Sequence, residues 1–382
     1  MRSARHRVCF VVTSPLTIRA FLAPHIAALS TKFDVSVAAN ADPDSFAAEG
    51  LSERFFKVPI ERRISPLRDL RALMCLVRLF RAHRFDLVHS VTPKAGLLAM
   101  AGAWCARVPL RIHTFTGQVW ATRGGPTRAL LRIMDSLIAK FATHVLVDSR
   151  SQREFLISNR VVAAPKSAVL AEGSICGVDG ERFRPDAAAR RRVRSEMRVP
   201  EDAAMFLYLG RLSRDKGVPD LALAFARLAQ RHATVHLALV GPDEDDLRRQ
   251  IEEIVAPCAD RVRIIDYTDR PEDYMAAADV FCLPSYREGF GQVALEGAAT
   301  GLPVIASRIY GIVDAVLDGE TGLLHPPADV DALRAHMETL LVRPDLRRKL
   351  GGAGRSRSLR DFSAQRVTQA LVEFYAGITA KL

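Results

Sequence analysis

The feature that most restricts this chain is a rhythm that runs twice. Short apolar runs, "RVCFVVT", "FDVSVAA", "FDLVHSV", "LRIHTF" and "THVLVDS", alternate with helical patterns at about residues 19–31, 66–84, 94–106 and 126–141. Strand signals separated by amphipathic helices predict βαβ units and a parallel sheet. The stretch 159–186, rich in Gly, Pro and Ser, breaks the rhythm and marks a connection between domains. The pattern restarts with "MFLYLG", "TVHLALVG", "RVRIID", "DVFCLPS" and "PVIAS", interleaved with helices at about 218–231, 243–255, 271–278 and 292–300. A last amphipathic segment, "FSAQRVTQALVEFYAGI", follows. A length of 382 residues suits two domains. The expected fold is α/β, with two Rossmann-like doubly wound domains facing across a cleft. Residues 1–165, joined by a C-terminal helix at about 364–382, form the first domain, and residues 166–363 the second.

Charge separates the halves. Residues 1–160 hold 24 Lys and Arg against 11 Asp and Glu, so the whole net charge of +11 arises there. A basic half predicts an anionic partner: a membrane surface, a phosphorylated lipid or a nucleic acid. Nucleic acid is disfavoured, because aromatic residues make up 7% of the chain and are not interleaved with the basic runs. No apolar run is long enough to span a bilayer, and the opening "MRSARHRVCFVV" reads as a first strand rather than a signal peptide. None of the six cysteines forms a C-x-x-C pair, and most sit in apolar runs. That pattern predicts reduced thiols in a cytoplasmic protein, with no disulfide framework and no metal site.

In open parallel sheets ligands bind beyond the carboxyl ends of the strands. The loop "LGRLSRDKG", 209–217, follows one such end. Gly210 permits a tight exit, Arg211 offers a planar fork and Lys216 a flexible point charge, as a diphosphate requires. A helix starting near Val218 adds a positive N-terminal dipole. Arg214 and Asp215 read as solvent-facing. A later strand, "DVFCLPS", leads into "EGFGQVALE". There Gly289 and Gly291 free backbone amides for close approach, Glu288 can face a sugar, and Glu296, on the next helix, can accept both hydroxyls of a ribose. Taken singly, Glu296 reads rather as a surface helix residue and Glu288 as an N-terminal charge favoured by the helix dipole.

Together these motifs resemble the retaining glycosyltransferases of family 4, which have the two-Rossmann GT-B fold. The resemblance spans nearly the whole chain and rests on "GRLSRDKG", "EGFGQVALEGAATGLPVIAS", "GSICGVDGERFRP" and "DGETGLLHPP". It implies that Arg211 and Lys216 bind the donor pyrophosphate, that Glu288 lies near the donor sugar and that Glu296 binds the ribose. Gly210, Gly289, Phe290 and Gly291 complete the expected donor site. Many family members carry "HTxHG" where this chain has "HTFTG", so Thr116 stands in place of the second histidine and His113 lies three residues earlier. His113 is accordingly a candidate catalytic residue beside Glu288, or a satisfied strand histidine.

The first half holds the candidate acceptor residues. Lys94 opens a helix in "TPKAGLL" and can meet an acceptor phosphate or cap the helix in water. Thr116, Gln118 and Trp120 follow the strand "LRIHTF"; an indole plane suits a sugar face, or else covers the core. In "SPLRDLRALMCLVRLFRAHRFD", Arg68, Arg71, Arg78 and Arg81 recur at spacings of three and seven, beside apolar Leu67, Leu70, Leu73, Met74, Val77 and Phe80. Such a helix can rest on the anionic inner leaflet or be an outer helix with a solvated basic face. The "TPKAGLL … HTFTGQVWATR … VDSRSQREFLI" series looks like enzymes that build lipid-linked surface polysaccharides. The expected function is therefore transfer of a sugar, an N-acetylated hexose by that analogy, from a UDP-sugar to a polyprenyl-diphosphate-linked acceptor. No metal or other cofactor is expected. A nucleotide-sugar 2-epimerase and a non-catalytic partner subunit are the alternatives.

Overall fold

The structure is a computed structural model and describes residues 5–42, 54–61 and 65–382. The chain divides into two compact units, Met1–Cys176 with Ala364–Leu382, and Gly177–Ser363. The first division falls later than the expected residue 165. The reason is local: residues 167 and 168 pair in parallel with the last long strand of the first sheet, and Ser174 N–H donates to the Asp148 carbonyl at 2.7 Å.

The first unit holds strands β1 (Arg7–Val11), β2 (Asp34–Ala39), β3 (Phe55–Lys57), β4 (Leu87–Val91), β5 (Leu110–Phe115), β6 (His144–Val147) and β7 (Ser167–Ala168). Its helices are α1 (Pro15–Thr17), α2 (Ala23–Ser30), α3 (Pro66–His83), α4 (Pro93–Cys105), α5 (Gly125–Phe141) and α6 (Arg150–Ser158). The strands form one parallel sheet in the order β3-β2-β1-β4-β5-β6-β7. Side-chain alternation splits β1 between two cores. Val8 and Phe10 join the cluster of Ile26, Leu29 and Tyr375, while Cys9 and Val11 join that of Leu76, Phe80 and Met100. One face is thus covered by α2 and the returning C-terminal helix, the other by α3, α4 and α5 side by side.

The second unit holds α7 (Ala187–Glu196), β8 (Ala204–Leu209), α8 (Val218–Ala229), β9 (Val235–Val240), α9 (Arg248–Val255), β10 (Val262–Ile265), α10 (Pro271–Ala277), β11 (Val280–Leu283), α11 (Gln292–Ala299), β12 (Val304–Ser307), α12 (Ile312–Ala315), β13 (Gly322–His325), α13 (Val330–Val342) and α14 (Pro344–Asp361). The C-terminal helix, α15 (Ala364–Thr379), belongs to the first unit. The second sheet is parallel, ordered β10-β9-β8-β11-β12-β13. The strand order reverses between β8 and β11, which leaves a crevice at their carboxyl ends. Both doubly wound sheets agree with the architecture read from the sequence. The short strands β3, β7 and β13 and the helices α6, α7, α13 and α14 had no distinct signal in that reading.

Among the described residues no helix is long and apolar enough to cross a membrane. All six cysteines are free. Cys105 is exposed and Cys75 partly so, which corrects the expectation that most are buried thiols only at those two positions.

Candidate active site

The crevice of the second sheet is built from two loops that the fold presses together. Gly217 has φ +66°, and a Cβ there would lie 2.1 Å from the Pro284 carbonyl oxygen, so the loop after β8 reaches the loop after β11 through glycine. Tyr286 N–H donates to the Asp215 carbonyl at 2.9 Å, and the Arg287 guanidinium meets the Asp215 carboxylate at 2.9 Å. The Tyr286 hydroxyl donates to the Asp220 carboxylate at the start of α8. Asp215, read from the sequence as solvent-facing, is therefore a tie between loops; Arg214 is exposed as expected.

Across this seam Lys216 Nζ contacts Glu288 Oε1 at 2.5 Å, and both side chains are largely buried. Ser285 donates its hydroxyl to the same Glu288 oxygen at 2.9 Å. Beneath them Tyr208 hydrogen-bonds to the Arg211 carbonyl at 2.7 Å, and burial together with the Glu288 charge holds its phenol un-ionised. Gly291, at φ +79°, caps α11, so the amides of that first turn face outward from the loop.

Two expected donor residues have partners other than Lys216 and Glu288. Arg211 is paired with Glu244, from the segment after β9, and keeps much of its guanidinium exposed. Glu296 lies one turn into α11, hydrogen-bonded to Gln292 and in the field of Arg182 and Glu272. Burial raises its carboxyl to about 7, against smaller downward pulls from Gln292 and Arg182. The Phe290 side chain points into the core, its ring 5.2 Å from that of Phe362, so only its backbone is available to a ligand. Gly210 and Gly289 lie on the loops themselves, Gly210 at φ +152° and Gly289 with its carbonyl oxygen 2.5 Å from where a Gly311 Cβ would sit. Tyr208, Ser285, Tyr286, Arg287 and Glu244 were missed in the sequence. Ser285, Tyr286 and Arg287 adjoin "EGFG", but their contacts are formed across loops and leave no spacing signal.

In the first unit three candidate site residues lie in the core. His113 is fully buried in β5 under α4. Its Nδ1 is 2.8 Å from the Ser90 hydroxyl, and its ring occupies the place that a Gly96 Cβ would need. Burial lowers its pKa to about 3, so it is a neutral imidazole set within the core. Trp120 is buried, stacked on Phe155 at 4.9 Å and donating to Asp135 at 2.8 Å, so no indole face is offered to a sugar. Gln118 is buried too and accepts from Gln152 Nε2 at 3.2 Å. Thr116 is partly exposed, and Lys94 meets Asp69 at 2.6 Å. At the strand-order reversal of this sheet, between β1 and β4, the hydroxyls of Thr13 and Thr92 lie 3.2 Å apart. Thr92 has φ +77°, costly for a β-branched residue.

The N-terminal residues 1–173 match the model of the glycosyl transferase 4-like domain, and residues 189–357 that of the glycosyl transferases group 1. A capsular polysaccharide biosynthesis glycosyltransferase, CapM, from Staphylococcus aureus is 29% identical over 83% of this chain and 83% of its own length. A D-inositol 3-phosphate glycosyltransferase from an Arthrobacter species is 31% identical over 84% of this chain and 77% of its own. A UDP-Gal:alpha-D-GlcNAc-diphosphoundecaprenol alpha-1,3-galactosyltransferase from Escherichia coli is 26% identical over 74% of this chain and 73% of its own. The Anabaena HepE structure in complex with UDP and glucose superposes with a TM-score of 0.82 at 20% identity, over 97% of this chain and all of that one. With its two parallel-sheet units and both family models in order, the chain belongs to the group 1 glycosyltransferases of the GT-B fold, of the family 4 type.

Proposed function

We propose that this glycosyltransferase moves an N-acetylated hexose from a UDP-sugar to a polyprenyl-diphosphate-linked acceptor in surface polysaccharide synthesis, with retention of configuration. The observation that carries the reading is the Lys216–Glu288 contact at the crevice of the second sheet. An ammonium has three N–H donors, and one is used by Glu288, so two remain for diphosphate oxygens. Arg211 brings further donors once a phosphate displaces Glu244, since a doubly charged phosphate attracts the guanidinium more strongly than one exposed carboxylate. As the bond from the sugar carbon to the diphosphate breaks, negative charge grows on the leaving group and positive charge on the sugar. Lys216, joined by Arg211 once the donor phosphate has drawn it from Glu244, faces the first, and Glu288 faces the second. These two cations serve where other enzymes use a divalent metal, and the reaction needs no cofactor. Glu296 accepts from the ribose hydroxyls, and the backbone of Gly289, Phe290 and Gly291 borders the donor.

The named relatives support the polysaccharide setting and the lipid-linked acceptor. The HepE complex supports UDP as the carrier. On the first unit, Lys94 and Thr116 are the remaining acceptor candidates. The protein works at the inner face of the cytoplasmic membrane, where Arg68, Arg71, Arg78 and Arg81 meet anionic headgroups. The test is a panel of UDP-sugars with polyprenyl-diphosphate-sugar acceptors, read by mass spectrometry. A mass gain of one N-acetylhexose on the lipid is expected. Sugar interconversion without acceptor, or no transfer from any UDP-sugar, overturns the reading.

A further inference from the structure

Helices α3 and α5 flank α4 on one face of the first sheet, and each is apolar on its outward side as well as its inward side. On α3 the inward face is Ala72, Leu76 and Phe80, while Leu67 (84% exposed), Leu70 and Met74 point out. The single apolar face read from the sequence is thus divided, with Phe80 packed inward and these three turned outward. On α5, Ile138 and Ala139 point in, and Leu130 (58% exposed), Ile133 (55%) and Leu137 form an outward stripe at spacings of three and four. Single exposed leucines are ordinary, but two outward apolar stripes on helices that flank one neighbour are not.

The charges sort with the same asymmetry. Each helix has one carboxylate, and both turn inward: Asp69 to Lys94 at 2.6 Å, and Asp135 to the Trp120 indole at 2.8 Å. The cations Arg71, Arg78 and Arg81 on α3, and Arg132 and Lys140 on α5, are exposed. The outer surface therefore combines apolar side chains with cations and shows no helix carboxylate. A second copy of this chain would bring the same cations to face these, and the repulsion disfavours it. An anionic bilayer satisfies both parts, with apolar side chains at the acyl boundary and cations at the headgroups.

We infer that α3 and α5 form a two-helix platform that seats the first unit on an anionic lipid surface, with Leu130, Ile133 and Leu137 entering the acyl boundary. The inference deepens the proposed membrane setting, which rested on α3 arginines alone, and it rests on that reading for its biological use. The experiment is flotation of the full chain with vesicles of phosphatidylcholine containing about 30% phosphatidylglycerol, beside pure phosphatidylcholine, with UDP titrated calorimetrically in parallel. Wild type should float with the anionic vesicles only. The combined variant Leu130→Gln, Ile133→Gln, Leu137→Gln, and separately Arg132→Gln with Lys140→Gln, should each lose about tenfold or more of vesicle partitioning. Both should keep wild-type melting temperature and UDP affinity. Unchanged partitioning in the apolar variant overturns the platform, as does equal flotation of wild type with neutral vesicles. A wild-type dimer in sedimentation that the apolar variant dissolves overturns it in favour of a second copy. Failure of UDP binding in every protein would instead strike the donor site and leave the flotation result standing.

Discussion

Lys216 Nζ and Glu288 Oε1 meet at 2.5 Å although 72 residues separate them, and each belongs to a loop at the carboxyl end of a different strand. The contact exists because β8 and β11 are neighbours in the sheet and because Gly217 lets the two loops touch. In the proposed reaction this contact brings the cation for the leaving diphosphate and the carboxylate for the reacting sugar to one point.

Replacing Lys216 with Ala should weaken UDP binding by about 1.5–3 kcal/mol, roughly tenfold to a hundredfold, as for loss of a charge-assisted hydrogen bond. Arg211→Ala should act in the same direction, with less effect because its guanidinium is more exposed. Calorimetric titration of UDP measures both. Affinity unchanged in Lys216→Ala removes the phosphate role.

Glu296 predicts a pH dependence with a definite sign. Its folded carboxyl sits near 7, above the ordinary value, because burial disfavours the charge. A raised acid costs nothing while protonated in both states, and its penalty grows as pH rises from the unfolded value towards 7. Glu296→Gln should therefore gain about 1–3 kcal/mol of stability relative to wild type between pH 4 and pH 8. Asp148, raised by burial to about 8, titrates in both proteins and cancels in the difference. If the ionised carboxylate accepts the ribose hydroxyls, wild-type UDP affinity should also rise with pH through about 7. Urea unfolding and UDP titration across the pH range read the two effects, and parallel curves for both proteins would contradict them.

Trp120 should behave as a core residue. Trp120→Ala should cost about 3–5 kcal/mol in urea unfolding, from lost packing on Phe155 and an Asp135 left without its donor. Trp120→Phe, which keeps most of the volume, should retain the KM for acceptor. A large rise in acceptor KM with unchanged stability would restore the indole to the sugar site.

Arg194 is almost fully buried and binds Asp279 at 2.5 Å together with the carbonyls of Ala277, Pro200 and Ala203. Asp279 also accepts from Met205 N–H at 2.8 Å, so the pair pins α7 to the entries of β8 and β11. Arg194→Ala should destabilise by about 3–5 kcal/mol, the usual consequence of breaking one side of a buried pair. Denaturant unfolding tests it, and a loss under about 1 kcal/mol would show that Arg190, 3.0 Å from the same carboxylate, suffices alone.

The strands from β1 to β12 that read as apolar runs, and the helices between them, were legible because burial on two faces leaves a local hydrophobic pattern. The motif around Glu288 was equally legible, since a glycine-rich turn is written in consecutive residues. The two-residue β7 was not, because so short a strand carries no period. Nor were the partners of the site: which carboxylate meets Lys216, or that Asp215 faces Arg287, depends on which strands become neighbours. His113 and Trp120 were open between ligand and core and Gln118 read only as a ligand, and tertiary burial set all three in the core, because composition cannot tell which loop another helix will cover. The outward leucines of α3 and α5 show the same limit in reverse. Periodicity established that each helix has apolar faces, and the packing of α4 between them determined which face was left to the solvent.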